Sequence, residues 1–129
     1  MPDTRTYDAS CHCGTIRFRF QSEEITTGLR CNCSICVRRG GVVSRRYYAA
    51  DSITEIQGAD HLSLHRFGDE DMSHCFCPTC GVSPFSLIAK LPPSYQGSAR
   101  VGDRRINLGC VHDLDVFALE LTLVDGKSL

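Results

Sequence analysis

The chain has 129 residues, of which 42% are hydrophobic and 22% charged, proportions that suit one globular domain spanning 1–129 with a single core and fit two domains poorly. A formal charge of -1 argues against the broad basic face of a dedicated nucleic-acid binder and against an acidic tail. No run reaches the roughly 18 apolar residues of a membrane span, and the opening Met1-Pro2-Asp3-Thr4-Arg5-Thr6 lacks the apolar segment of a secretory signal, so a cytoplasmic protein without a membrane partner is expected.

In chain order, Ile16, Phe18 and Phe20 alternate with Thr15, Arg17 and Arg19, the period-2 pattern of a half-buried strand. Residues 34–39 and 51–55 have the composition of short helical turns, too short for ordinary amphipathic helices. Strand-like runs recur at 42–48, 62–67, 82–88, 105–110 and 118–124, the last placing Leu119, Leu121 and Leu123 on one face. Pro and Gly cluster at 90–98, which reads as a loop within the domain. Six or more short strands divided by turn residues predict a mainly β fold.

Nine cysteines in a chain without an export signal point to metal binding or redox work before a disulfide framework, and an odd number cannot all pair internally. Eight fall into three groups: Cys11-His12-Cys13-Gly14, Cys31-Asn32-Cys33-Ser34-Ile35-Cys36 and Cys75-Phe76-Cys77-Pro78-Thr79-Cys80-Gly81. The Cys77-Pro-Thr-Cys80-Gly81 knuckle has the spacing of a zinc half-site, and its glycine permits the positive φ that closes the turn. Cys11 and Cys13, two apart on a strand, share a face and supply the second half of a four-thiolate structural zinc site. That assignment leaves Cys31, Cys33 and Cys36. Structural zinc is closed by four protein ligands, whereas catalytic zinc commonly keeps three and leaves one position for water or substrate. The middle group is therefore either an open, reactive zinc site or a second closed one completed by Cys75 or a histidine. Thiolate ligands also suit a thiol substrate in the fourth position.

The order Cys-x-Cys-Gly, Cys-x-Cys-Ser-x-Cys with Arg and Gly close behind, and Phe-Cys-x-x-Cys-Gly resembles the glutathione-dependent formaldehyde-activating enzyme family, which includes centromere protein V and is classed with carbon-sulfur lyases. The likeness runs from Cys11 onward and takes in 62–68 and 105–110. It implies a β-rich, tent-like arrangement of small antiparallel sheets stapled by zinc. It further implies two zinc ions per chain, a structural one on Cys11, Cys13, Cys77 and Cys80 and a catalytic one on Cys31, Cys33 and Cys36, where glutathione meets formaldehyde in either direction of the reaction.

Around that site, Arg38 and Arg39 are the candidates for gripping the carboxylates of a peptide thiol such as glutathione. His65 is placed in the substrate pocket, and His65 or His74 could shuttle a proton. Arg45 and Arg46 face opposite ways on a strand, so at most one reaches the pocket. Gly40 and Gly41 either let backbone approach a ligand or turn the chain. His12 and His112 read as surface residues, Cys110 as a small buried hydrophobe, and Cys75 as undecided. A zinc-stapled module that recruits protein or nucleic acid without chemistry is the alternative function, nucleic acid being disfavoured by the charge. A thiol redox sensor ranks third.

Overall fold

The computed structural model describes residues 4–128. β1 (Thr4–Ser10) and β2 (Arg17–Glu23) form an antiparallel hairpin, and β4 (Ile53–Gln57) adds to the other side of β2. A four-stranded antiparallel meander follows: β5 (Ser63–His65), β6 (Met72–Phe76), β7 (Phe85–Ile88) and β8 (Arg104–Ile106). β3 (Thr27–Cys31) pairs with β9 (Glu120–Val124) in a two-stranded parallel sheet. The protein is thus mainly β with small sheets, two antiparallel and one parallel. Its one described α-helix, α1, covers Ser34–Arg39, and the remaining helical elements are single 3-10 turns.

β2 shows why the pattern folds this way. Phe18, Phe20 and Ser22 point inward while Arg17 and Arg19 face out, as the pleat requires. Phe18 meets Phe85 edge-on at 5.4 Å and Phe20 meets Tyr48 at 5.2 Å, so the hairpin sheet and the meander share one core with Ile106, Leu108 and Val111. The buried Tyr48 hydroxyl lies 2.8 Å from Ser22 Oγ, which satisfies both polar groups.

Three of the expected elements differ from the sequence pattern. Where 105–110 reads as one strand, β8 ends at Ile106 and Leu108–Cys110 forms a 3-10 turn. Residues 42–48 form isolated bridges in place of a strand: Val43 pairs with Leu29 and with Asn107, and Tyr48 with Arg104. This segment stitches β3 to the meander, so its hydrogen bonds go to two sheets and no continuous ladder forms. Of 51–55, only the beginning is helical, as a 3-10 turn at Ala50–Ser52, after which the chain becomes β4. On β9, Leu121 and Leu123 remain exposed. Residues 90–98 form an open loop.

Candidate metal centres

Cys11 directly follows β1 and Cys77 directly follows β6. Each opens a tight turn: Gly14 N–H donates to Cys11 O at 3.2 Å and Gly81 N–H to Cys77 O at 2.7 Å, with φ of 82° and 81° at the two glycines. An L side chain is disfavoured at those angles. The two turns bring Cys11, Cys13, Cys77 and Cys80 together with all four sulfurs within 4.8 Å of one another. Cys13 Sγ is 3.7 Å from both Cys11 Sγ and Cys77 Sγ, close to the edge of about 3.8 Å for a tetrahedron with metal–sulfur bonds of about 2.3 Å. Amides favour the thiolate here. Cys80 is lowered to about 6 by the backbone at Cys13 and Val82, and Cys13 is lowered by the Thr15 hydroxyl and amide, whereas burial pushes Cys11 up. Geometry and donor set both fit a soft tetrahedral cation.

The second group sits where β3 enters α1. Cys31 ends β3, Cys33 is the N-cap of α1 and Cys36 lies one turn on, so a single chain reversal presents three sulfurs within 4.8 Å of one another. No fourth Cys, His, Asp or Glu joins them at that distance among the described residues. Cys36 is pushed up to about 12 by burial, by hydrogen bonding to Cys33 and by the neighbouring thiols. Burial pushes Cys33 up, but hydrogen bonds from the Cys36 backbone and thiol, the Cys31 thiol and the Ile35 backbone together leave it lowered. Three crowded thiols resist releasing all their protons unless a cation shares the charge.

The chain's end braces this loop. Asn32 Nδ2 donates to Asp125 Oδ1 at 2.9 Å, Lys127 N–H donates to Asn32 Oδ1 at 2.9 Å and Asn32 N–H to Val124 O at 3.2 Å. Gly126 packs so closely that a Cβ there would clash with Cys31 Sγ. Asp125 is held below its usual range by Asn32 and Ser128. The sequence pattern singles out none of Asn32, Asp125 or Gly126; the Asp-Gly turn after β9 is the only signal, and it says nothing about which loop it meets.

The three thiols open on a cavity of about 290 Å³. Its floor is one face of the meander. His65, His74, Ser86 and Arg105 lie directly opposite one another on β5, β6, β7 and β8 and therefore form a row across the sheet on one face. Arg39, from the last turn of α1, reaches this row: its Nη1 is 3.1 Å from His74 Nδ1 and 3.2 Å from Ser86 Oγ. A guanidinium can only donate, so Nδ1 accepts and the neutral ring carries its proton on Nε2. Burial, then the charges of Arg39 and His65, hold His74 below the usual histidine value.

The other sequence candidates fall elsewhere. Arg38 donates to Ser34 O at 2.9 Å on the exposed side of α1 and does not line the thiol cavity. His65 is exposed at the edge of the row, stacked on Phe67 at 5.8 Å. Neither Arg45 nor Arg46 lines the cavity, and Arg46 lies over Tyr48 at 4.9 Å. Gly40 and Gly41, with φ of 68° and 85°, turn the chain after α1 and line a neighbouring cavity that shares Cys31, Cys36 and Arg39. His12 is exposed, and His112 Nε2 is 2.8 Å from Ser10 Oγ. Cys75 and Cys110 are buried outside both sulfur groups, each pushed up to about 11 by burial.

Comparison with known proteins agrees with this picture. The sequence profile described as glutathione-dependent formaldehyde-activating enzyme matches residues 6–116. A Halomonas elongata protein named "Putative glutathione-dependent formaldehyde-activating enzyme" is 32% identical over 92 residues, which is 66% of this chain and 58% of that protein. The chain therefore spans little more than half the length of that relative. A Rhodobacter sphaeroides protein of known crystal structure is similar in fold, with a TM-score of 0.67 at 23% identity, covering 89% of this chain and 99% of that one. No described helix is long and apolar enough to cross a membrane. With the profile matched over most of its length and its thiols gathered in two groups, the chain belongs to the glutathione-dependent formaldehyde-activating enzyme family.

Proposed function

We propose that this chain is a carbon–sulfur lyase that makes or breaks the bond between a thiol sulfur and an aldehyde-derived carbon, with glutathione and formaldehyde as the pair. One observation carries the reading: three sulfurs with no fourth Cys, His, Asp or Glu within 4.8 Å among the described residues open on a cavity that also receives the guanidinium of Arg39. Zinc fits both sulfur groups, on Cys11, Cys13, Cys77 and Cys80 as a staple and on Cys31, Cys33 and Cys36 as the reactive ion, where it would supply Lewis acidity that favours the thiolate form of a bound thiol.

The chain's own residues do the rest. Arg39 binds a carboxylate of the thiol carrier, and its fork is held by His74 and Ser86, which carry no charge to compete for it. Phe67, Leu29 and Met72 line the same cavity and reduce the water around the reacting atoms. In the synthetic direction a sulfur–carbon bond forms, the carbonyl π pair moves to oxygen, and oxygen takes the proton that the thiol gave up. The reverse step returns both molecules, with no net oxidation.

The test is formaldehyde–glutathione exchange followed by NMR above the spontaneous rate. Replacing Arg39 with Met removes a charge-assisted contact of about 1.5–3 kcal/mol and raises KM for glutathione by about 10- to 150-fold. Cys33→Ser abolishes the enzymatic rate while the circular dichroism spectrum is kept. Unaltered exchange in Cys33→Ser overturns the proposal and leaves a zinc-stapled binding module.

A further inference from the structure

Arg39 is not the only cation facing the thiol cavity. Arg105 lines it too, and the register explains how: Arg105 stands opposite Ser86, the same serine that receives Arg39. Its neighbour Arg104 goes to the other face of β8 and lies over Phe85 at 5.5 Å. Arg105 instead lies over the Tyr47 ring, its Cζ 4.2 Å from the centroid, with Nη2 donating to Arg45 O at 3.4 Å and a buried Nε that has no hydrogen-bond partner.

Neither arginine forms an ion pair among the described residues. A guanidinium over an aromatic ring is held in place by cation–π attraction while its remaining N–H groups can bind an anion. Two cations lining one cavity without an acidic partner repel each other until an anion lies between or beside them. Asp69 and Asp71 line the same cavity without pairing to either arginine, so cavity charges of both signs are left for a ligand.

We propose that Arg105, seated on Tyr47, is a second carboxylate anchor, and that the site therefore selects a thiol carrier with two carboxylates, and an ammonium for the aspartates, over smaller thiols with one carboxylate or none. This specificity role rests on the lyase reading for its substrate, but the anchor can be tested without the reaction. S-methylglutathione offers both carboxylates and no free thiol. Two analogues, each with one carboxylate converted to the amide, complete the set.

Titration calorimetry on the zinc-loaded protein at low salt is expected to show S-methylglutathione binding about tenfold tighter than either amide. Arg105→Met keeps an apolar stem on Tyr47. It is expected to weaken S-methylglutathione about tenfold, abolish discrimination against one amide and leave Arg39→Met to abolish discrimination against the other. Arg105→Lys, which keeps charge without the fork, is expected to fall between. Zinc content and melting temperature equal to wild type exclude a folding defect. Wild-type discrimination retained in Arg105→Met overturns the anchor, as does failure of S-methylglutathione to bind the wild type. Arg105-dependent binding in a protein without glutathione–formaldehyde exchange upholds the anchor and overturns the lyase reading. Exchange with unchanged discrimination in Arg105→Met does the opposite.

Discussion

Replacing Gly126 with Ala puts a methyl group well inside van der Waals distance of Cys31 Sγ, with Cys33 Cβ only 3.2 Å from the new carbon. Carbon–sulfur contacts close to van der Waals distance need about 3.5–4 Å, so one side must retreat by about 1 Å. If the sulfur yields, Cys31 moves several times farther than the roughly 0.2 Å that separates good from poor metal–ligand distances. If the C-terminal turn yields, it strains the two bonds to the Asn32 amide, from Asp125 and Lys127, at about 1 kcal/mol each. Breaking both bonds costs about 2 kcal/mol, and strain of that size that is relieved when the ion leaves lowers affinity about 30-fold for a metal held by Cys31, Cys33 and Cys36. Competition between the zinc-loaded protein and a chromophoric chelator reads this directly. Wild type is expected to release two ions with distinct affinities, and Gly126→Ala to weaken one by about 30-fold while leaving the other, held by Cys11, Cys13, Cys77 and Cys80, unchanged. Equal weakening of both ions, or of neither, would refute the reasoning.

Two further outcomes are expected. No residue of α1 is buried, and a six-residue helix is far below the length that is stable alone in water; stripping the metal from the three-thiol group therefore frees its amides, and hydrogen exchange at Val37 and Gly40, which bond to Cys33 O and Cys36 O, accelerates about tenfold or more, with unaltered protection as the contrary result. His74 is depressed below 6.5 by burial, then by Arg39 and His65, with Asp71 opposing. A depressed pKa gives stability that is fully present above pH 6.5 and is lost as pH falls toward the folded-state value. His74→Asn keeps an acceptor for Arg39 without titrating, so its melting temperature is expected to fall less than the wild type's between pH 6.5 and 5; parallel curves would exclude a role for the imidazole.

How much of this was legible beforehand depends on the range of each interaction. The cysteine groups are written in spacings of two and three residues, and turns that short leave the backbone little choice. β2 was visible because its aromatic residues alternate with arginines. β1 was not, for its burial pattern has a single buried residue, Ala9, and a strand that lends mostly backbone to a hairpin leaves no hydrophobic period. β6 was hidden differently: Ser73, His74 and Cys75 are all buried, and polar residues carry no apolar signal even when they form the floor of a cavity. The Arg39–His74–Ser86–Arg105 constellation joins α1 to three strands of the meander, and the brace at Asn32 spans 93 residues to Asp125. Such pairings follow from sheet register, which a single sequence leaves open.

The choice between Arg38 and Arg39 is the instructive exception, because helical geometry alone decides it. At about 100° per residue, Arg39 lies about 60° around the axis from Cys36 and Arg38 about 160° from it. Only Arg39 can follow the thiols into the cavity, and the structure has Arg38 bonded back to Ser34 O on the outer side. Cys33, Cys36 and Arg39 recur every third residue along one short helical segment, so forming α1 gathers two of the thiols and aims the guanidinium in one step. At the other end of this short helix the buried His74–Ser86 pair holds Arg39, a polar anchor in place of the hydrophobic face that α1 lacks.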